Sequence, residues 1–318
     1  MKNKILLIFT GGTICSFYNA DNVKSTDTSK AKSLIEENFR KKNKTELSFE
    51  YEFPYDILSE NVTVCHWNAL LDTFRKCNTE SYDGIIVLHG TDTLAYSANL
   101  LSVALSSYPL PVFLVSSPTP LTDEGSFGND NFDTAVKLIL NGVLPNVYVP
   151  YKNSDGEMYV HLGKNMLQCK NFSDDFFGGT ELSDFKGEKN EGEYILDKMK
   201  KLTPSVIKID PYASLDYSRI KLSGIRAVVH GTYHAETLSM GNISRFSARR
   251  LFSKKRVVFL APCTKDTPDF SYDTTATALA LGAVPVSSMS SDMVYVKALV
   301  GVSLGYRGEK LKSFVTFL

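Results

Sequence analysis

A chain of 318 residues is long enough for one large domain or two ordinary ones, and 43% hydrophobic against 22% charged residues supplies a substantial core and excludes intrinsic disorder. Thirty-five basic and thirty-five acidic residues give a formal net charge of zero. That balance removes the electrostatic case for nucleic acid or an anionic membrane as a partner.

Met1 to Lys4 followed by Ile5–Phe9 imitates a secretory leader. The apolar run is short and passes straight into Gly11-Gly12 without a small-residue cleavage site, so the segment reads as the first strand of a cytoplasmic protein. No stretch reaches membrane-spanning length. Lys4–Phe9 is unbroken and apolar, as in a strand covered on both faces. Gly84–Leu88 and Val112–Ser116 repeat that character, and Leu94, Ala98, Leu101 and Leu105 between them recur at helical spacing. Strand, helix and strand in this order predict a βαβ unit, hence an α/β fold with a mostly parallel sheet and helices on both faces.

Ala135, Val136, Ile139 and Leu140 predict a further helix, and Asn146–Gly163 a β-hairpin turning at Asn153-Ser154-Asp155-Gly156. From Gly178-Gly179 to Pro204 the composition shifts and becomes charged. This predicts an N-terminal domain over 1–186, a linker over 187–203 and a smaller C-terminal α/β domain over 204–318. In the last, Val206–Ile209, Ala227–Val229 and Val257–Leu260 read as strands, and Ala276–Leu281 and Val294–Leu304 as helices.

Ligands of open parallel sheets bind in the loops that leave the carboxyl ends of strands. Three such loops are unusually polar: Thr10-Gly11-Gly12-Thr13, His89-Gly90-Thr91-Asp92-Thr93 and Ser116-Ser117-Pro118-Thr119. Glycine there lets the backbone turn sharply and leaves room for a ligand. Taken alone, the first loop also reads as a structural turn, and Thr91, Asp92 or Thr93 as a cap for the following helix. Gly11-Gly12-Thr13-Ile14-Cys15-Ser16 lacks the third glycine of a dinucleotide turn, and there is no Gly-Lys-Ser/Thr phosphate loop. Five scattered cysteines (15, 65, 77, 169 and 263) without a CxxC pair suggest small buried thiols rather than disulfides or zinc. His230 and His234 are four apart, but Gly231 and the strand before them keep them off one helical face, so no metal is expected. A threonine nucleophile would need a neighbouring base, for which a desolvated lysine can serve, and donors for the developing oxyanion.

TGGTI at 10–14 and HGTDT at 89–93, each closing a strand, together resemble the two signatures of the bacterial-type L-asparaginase (asparaginase/glutaminase) family. The resemblance is to its cytoplasmic branch and extends along essentially the whole chain, with Tyr272–Val284 and Ser291–Met293 similar to stretches of the family's second domain. It implies that 1–186 is the catalytic domain and that the side-chain amide of asparagine is hydrolysed to aspartate and ammonia through a threonine acyl-enzyme. It implies a small amino-acid substrate, no metal or cofactor, and a homodimer or homotetramer. By position, Thr13 resembles the primary nucleophile. Thr91 and Asp92 match the threonine that helps activate the reaction and the aspartate that receives the substrate ammonium. Lys170, in Cys169-Lys170-Asn171, falls where the family keeps the lysine partnering that threonine, and Ser59 fits the serine that holds the α-carboxylate. Gly12, Gly90, Ser117 and Glu60 are expected beside the substrate.

The sequence departs from the family at several points. Val23 stands where the flexible segment carries its closing tyrosine, with Tyr18 earlier in the same segment as the replacement. Thr119-Pro120 replaces Arg-Pro, and Phe127-Gly128 or Gly128-Asn129 replaces Asp-Gly. Glu60 stands where glutamine or serine is common, and Val296-Lys297-Ala298 occupies the place of a glutamate. Such changes around the reacting groups leave open a different small amide as substrate, or a weak or inactive amino-acid-binding module on the same scaffold.

Overall fold

The unbroken apolar runs become interior strands. The computed structural model describes residues 3–43, 46–169, 172–241, 243–253, 255–262 and 270–317. It divides into two units, Met1–Asp197 and Lys198–Leu318. In the first unit the elements are β1 (Lys4–Phe9), β2 (Ser16–Tyr18), β3 (Lys24–Thr26), α1 (Thr28–Lys42), β4 (Ser48–Glu52), α2 (Val64–Lys76), β5 (Gly84–Leu88), α3 (Leu94–Ala104), β6 (Val112–Val115), α4 (Gly128–Leu140), β7 (Val147–Lys152), β8 (Met158–Leu162) and β9 (Thr180–Glu181).

Seven of these strands form one sheet in the order β4-β1-β5-β6-β7-β8-β9. The strands from β4 to β7 are parallel, and β8 and β9 add antiparallel. The chain leaves β1 toward β4 and returns to β5 on the other side, so a topological switch point lies between β1 and β5. Open parallel sheets hold their ligands at the carboxyl end of such a crevice.

Alternate residues of the parallel strands face opposite helices. Ile5, Leu7, Phe9, Ile86, Leu88, Phe113 and Val115 share a core with α1 and α4. At its centre Phe39 meets Phe132 edge-on at 6.0 Å and Phe49 at 5.6 Å. The alternate side chains, including Leu6, Ile8, Ile85 and Val87, are also buried. They face the other layer, where Trp67 of α2 donates its indole N–H to Ser97 of α3 at 3.0 Å. The connections through α3 and α4 both advance in the same direction across the sheet, yet their helices lie on opposite faces. They therefore differ in hand. The connections through α1 and α2 share the hand of α3, which makes the β6–α4–β7 crossover the exception to the usual right-handed rule.

Several elements go beyond the sequence expectation. In α1 the buried apolar stripe is Ala31, Ile35 and Phe39, with Leu34 packed beside it, in an otherwise polar helix capped by Asp27, whose carboxylate accepts from Lys30 N–H at 2.9 Å. In β4 (SFEYE) the strand is half polar because it lies at the sheet edge. The β2–β3 hairpin is short and largely exposed. Of the described cysteines, Cys15 is buried, Cys65 exposed, and Cys77 and Cys169 half-buried, so the expectation of interior thiols holds for Cys15. Residues 188–196 run along the first unit, tied by hydrogen bonds such as Asn190 N–H to Pro145 O (3.0 Å) and Arg75 Nη2 to Leu196 O (3.1 Å).

The second unit contains β10 (Val206–Ile209), β11 (Ala227–Gly231), β12 (Val257–Ala261), α5 (Asp273–Ala280), β13 (Val284–Pro285), α6 (Ser291–Ser303) and α7 (Gly308–Thr316). Its four strands are parallel in sequence order. Val228, Val258 and Leu260 form its core with Tyr217, Leu238 and Leu251. Among the described residues no helix is long and apolar enough to cross a membrane.

Phe132 is 1% exposed and touches both aromatic neighbours in the first core. Phe132→Ala should cost about 3–5 kcal/mol, read as a lower urea midpoint with the far-ultraviolet spectrum retained below it.

Candidate active site

Four loops meet where the sheet changes direction. Gly11 and Gly12 follow β1 with φ of 94° and 77°, a region that side-chain-bearing residues rarely adopt. Space is as restrictive as torsion. A Cβ on Gly11 would stand 2.3 Å from Ile57 O, and one on Gly12 would stand 2.2 Å from Gly90 Cα. The loops after β1 and β5 therefore touch backbone to backbone. Gly12 N–H donates to Ile57 O at 2.8 Å, which draws the segment after β4 into the same edge. A Cβ on Gly90 would in turn fall 2.4 Å from Ser59 Oγ.

This contact sets the threonines. Thr10 is 3% exposed, and its hydroxyl donates to Leu88 O at 2.7 Å, a bond that staples β1 to β5. Thr13 starts a single 3-10 turn, Thr13–Cys15, and is half-buried. Thr91 is half-buried too, and Asp92 is exposed. Because Gly12 touches Gly90, the residues that follow them, Thr13 and Thr91, leave one point on two adjacent loops.

Ser59 is 5% exposed in the 3-10 turn Ser59–Asn61, and its Oγ accepts the Asp92 N–H at 3.2 Å. Thr93 is the residue before α3, yet it makes no side-chain cap to that helix. Its hydroxyl donates to Ser59 O at 3.0 Å, so the capping role does not account for Thr93. Glu60 is exposed next to Ser59. Gln168, which belongs to none of the sequence motifs, donates its amide N–H to Asp92 O at 2.6 Å. No local signal marks it, because the bond spans 76 positions of chain. Lys170 lies outside the described residues.

The third loop turns inward on itself. Ser117 is fully buried, with its hydroxyl donating to Thr119 O at 2.6 Å and meeting Ser126 Oγ at 3.1 Å. The segment after the first loop is the β2–β3 hairpin. It pairs Tyr18 with Lys24 and holds Val23 in its turn, where Val23 N–H reaches Asn19 Oδ1 at 2.9 Å. Tyr18 and Val23 are 46% and 57% exposed. The Tyr18 hydroxyl donates to Asp123 Oδ2 at 3.4 Å, linking the hairpin to the third loop.

His89 is fully buried. Its Nδ1 lies 2.7 Å from Gly90 O, an atom that can only accept, so Nδ1 carries the proton and Nε2 is unprotonated. Burial pushes its pKa down to about 4, and the carbonyl bond offsets that only in part. His89 is thus a neutral strut of the loop. Among the described residues no cluster of histidine, cysteine or carboxylate side chains is placed to hold a metal.

The family model described as Asparaginase, N-terminal, matches residues 4–186. An L-asparaginase of Thermococcus kodakarensis is 29% identical over 237 residues, covering 69% of this chain and 70% of that protein. A glutamyl-tRNA(Gln) amidotransferase chain of Saccharolobus solfataricus is 30% identical over 161 residues, 51% of this chain but 33% of that protein, so the match spans about a third of that relative. The solved structure of the thermostable L-asparaginase from Thermococcus kodakarensis superposes with a TM-score of 0.77 at 20% identity, over 99% of this chain and 97% of that one.

Two outcomes follow from the site's geometry. Gly12→Ala should destabilise the protein by more than about 1–3 kcal/mol, since both torsion and space refuse the methyl; the urea midpoint measures it. The unfolded chain binds a proton at His89 near pH 6.5 and the folded chain only near pH 4. Stability from this group is therefore present above pH 6.5 and is lost as pH falls toward 4. His89→Gln should flatten that part of the stability-versus-pH curve.

Proposed function

The chain belongs to the asparaginase family and is an amidohydrolase, and from that premise we propose that it hydrolyses the side-chain amide of L-asparagine through an ester on Thr13. The contact between Gly12 and Gly90 is the observation that carries this reading, because it seats Thr13 and Thr91 on adjoining loops at the switch point.

In this mechanism the Thr13 hydroxyl oxygen attacks the amide carbon and its proton passes toward Thr91 and Lys170. Collapse of the tetrahedral species breaks the carbon–nitrogen bond, and the nitrogen leaves as ammonia after taking a proton. Water then attacks the ester, which releases aspartate and restores the threonine. Asp92 faces the substrate ammonium and Ser59 its carboxylate. Opposite charges at the two ends of a short amino acid fix it for attack before any bond changes. The exposed Asp92 and Glu60 together favour a ligand with a cationic end. The protein acts in the cytoplasm as a homodimer or homotetramer, and neither metal nor cofactor takes part.

The named activity of the amidotransferase relatives favours a second reading, in which the amide belongs to a substrate other than free asparagine. Ammonia release from asparagine, glutamine and short amide-bearing peptides separates the two. Release from asparagine is expected. Its absence from all three with folded protein at micromolar concentration overturns the proposal. Thr13→Ala and Thr91→Ala should each lower kcat by about 10³-fold or more with the fold intact. Asp92→Asn should act more strongly on KM than either.

A further inference from the structure

A cavity of about 480 Å³ opens in the second unit at the amino-terminal edge of its sheet. Arg226 directly precedes β11 and Arg256 directly precedes β12. This is the edge away from the strand ends where parallel sheets ordinarily place their ligands. Arg226, Lys255, Arg256, Arg307 and Lys312 line it, and Glu309 is the one carboxylate among the lining residues.

Glu309 pairs with Lys312 at 2.7 Å, one turn along α7. Among the described residues the other four cations have no carboxylate partner. Like charges gathered this closely repel one another unless an anion sits between them. Arg256 is the most constrained. Its Nη1 donates to Leu251 O at 2.5 Å, while its Nε is buried without a hydrogen-bond partner among the described residues. Burial also lowers the Arg256 pKa, the direction expected for a cation deprived of water. At the rim, α7 begins at Gly308 after Arg307, with no side-chain cap on its first-turn N–H groups. A Cβ on Gly308 would meet nothing within 4 Å, so the first residue of the helix has open space beside it. The sequence carries the same signal locally: residues 248–256 hold five cations and no acid in a chain of zero net charge.

We propose that this cavity binds a small anion with two or more phosphate groups, the chemistry of pyrophosphate or of a nucleoside di- or triphosphate. Arginine forks, a lysine and uncapped helix N–H groups are donors suited to phosphate oxygens. Four cations without carboxylate partners exceed what one tetrahedral anion would neutralise. A concavity of this volume fits a ligand of nucleotide size, whereas a polymer would be tracked by an extended basic stripe.

Isothermal titration of the full chain with pyrophosphate, ADP, ATP, citrate, sulfate and adenosine tests this. Saturable binding of pyrophosphate, ADP and ATP is expected at one site per chain, weakening as sodium chloride is raised. Arg256→Gln and Arg307→Gln should each weaken it by about tenfold or more. Arg307 is exposed, so its variant keeps the test valid if Arg256→Gln fails to fold. Equal affinity for pyrophosphate and ADP identifies the phosphate chain as the recognised part, and tighter ADP identifies a nucleotide. Three results overturn the proposal: no saturable binding at millimolar ligand, binding untouched by Arg307→Gln and Lys255→Gln, or citrate or sulfate binding as tightly as pyrophosphate.

Discussion

Two backbones meet at Gly12 and Gly90 with no room for a side chain between them, and the site depends on that approach. A Cβ at either position would collide with the other loop or with Ser59. The approach is possible because β1 and β5 are hydrogen-bonded neighbours at the switch point, so their carboxyl ends arrive side by side. Thr10 reinforces it by donating both its N–H and its hydroxyl to Leu88 O. The glycines are thus answers to a packing constraint imposed by the sheet.

The polar groups around that contact divide into those whose hydrogen bonds close the loops and those that keep solvent access. Thr10, Thr93 and Ser117 spend their hydroxyls on backbone carbonyls. His89 is buried and neutral. Ser59 accepts a backbone N–H, which leaves its own proton to give. Thr13 and Thr91 are half-buried, and Asp92 and Glu60 are exposed. The β2–β3 hairpin follows the first loop directly, and its ties to the rest include one long hydrogen bond from Tyr18 to Asp123.

Most strands and the shape of the first sheet were legible in the sequence because doubly covered strands must be apolar throughout. Lys4–Phe9, Gly84–Leu88 and Val206–Ile209 have the expected bounds. Edge strand β4 and helix α1 were not, since each carries more polar than apolar side chains and only packing identifies the buried ones. Gln168 was invisible for another reason: its bond to Asp92 O joins distant parts of the chain, and no spacing rule reports such a pair. The reversed hand of the β6–α4–β7 crossover likewise leaves no mark in residue order.

The tripeptide His-Gly-Thr occurs twice, at 89–91 and at 230–232, and it separates what sequence decides from what structure decides. By itself the sequence determined that each copy ends a buried strand, and in both the histidine Nδ1 bonds the next residue's carbonyl, at 2.7 and 2.5 Å. Surroundings decided the rest. His230 Nε2 meets the Tyr217 hydroxyl at 2.8 Å, and Thr232 donates to the buried Glu236 carboxylate. A Cβ on Gly231 would approach no closer than 3.2 Å to Asp210, against 2.4 Å to Ser59 for Gly90. Local residues fix a strand's end and its turn, because those rest on burial and torsion alone. Only the tertiary structure brings a second backbone against the first copy, and that crowding is what separates Thr91 from Thr232.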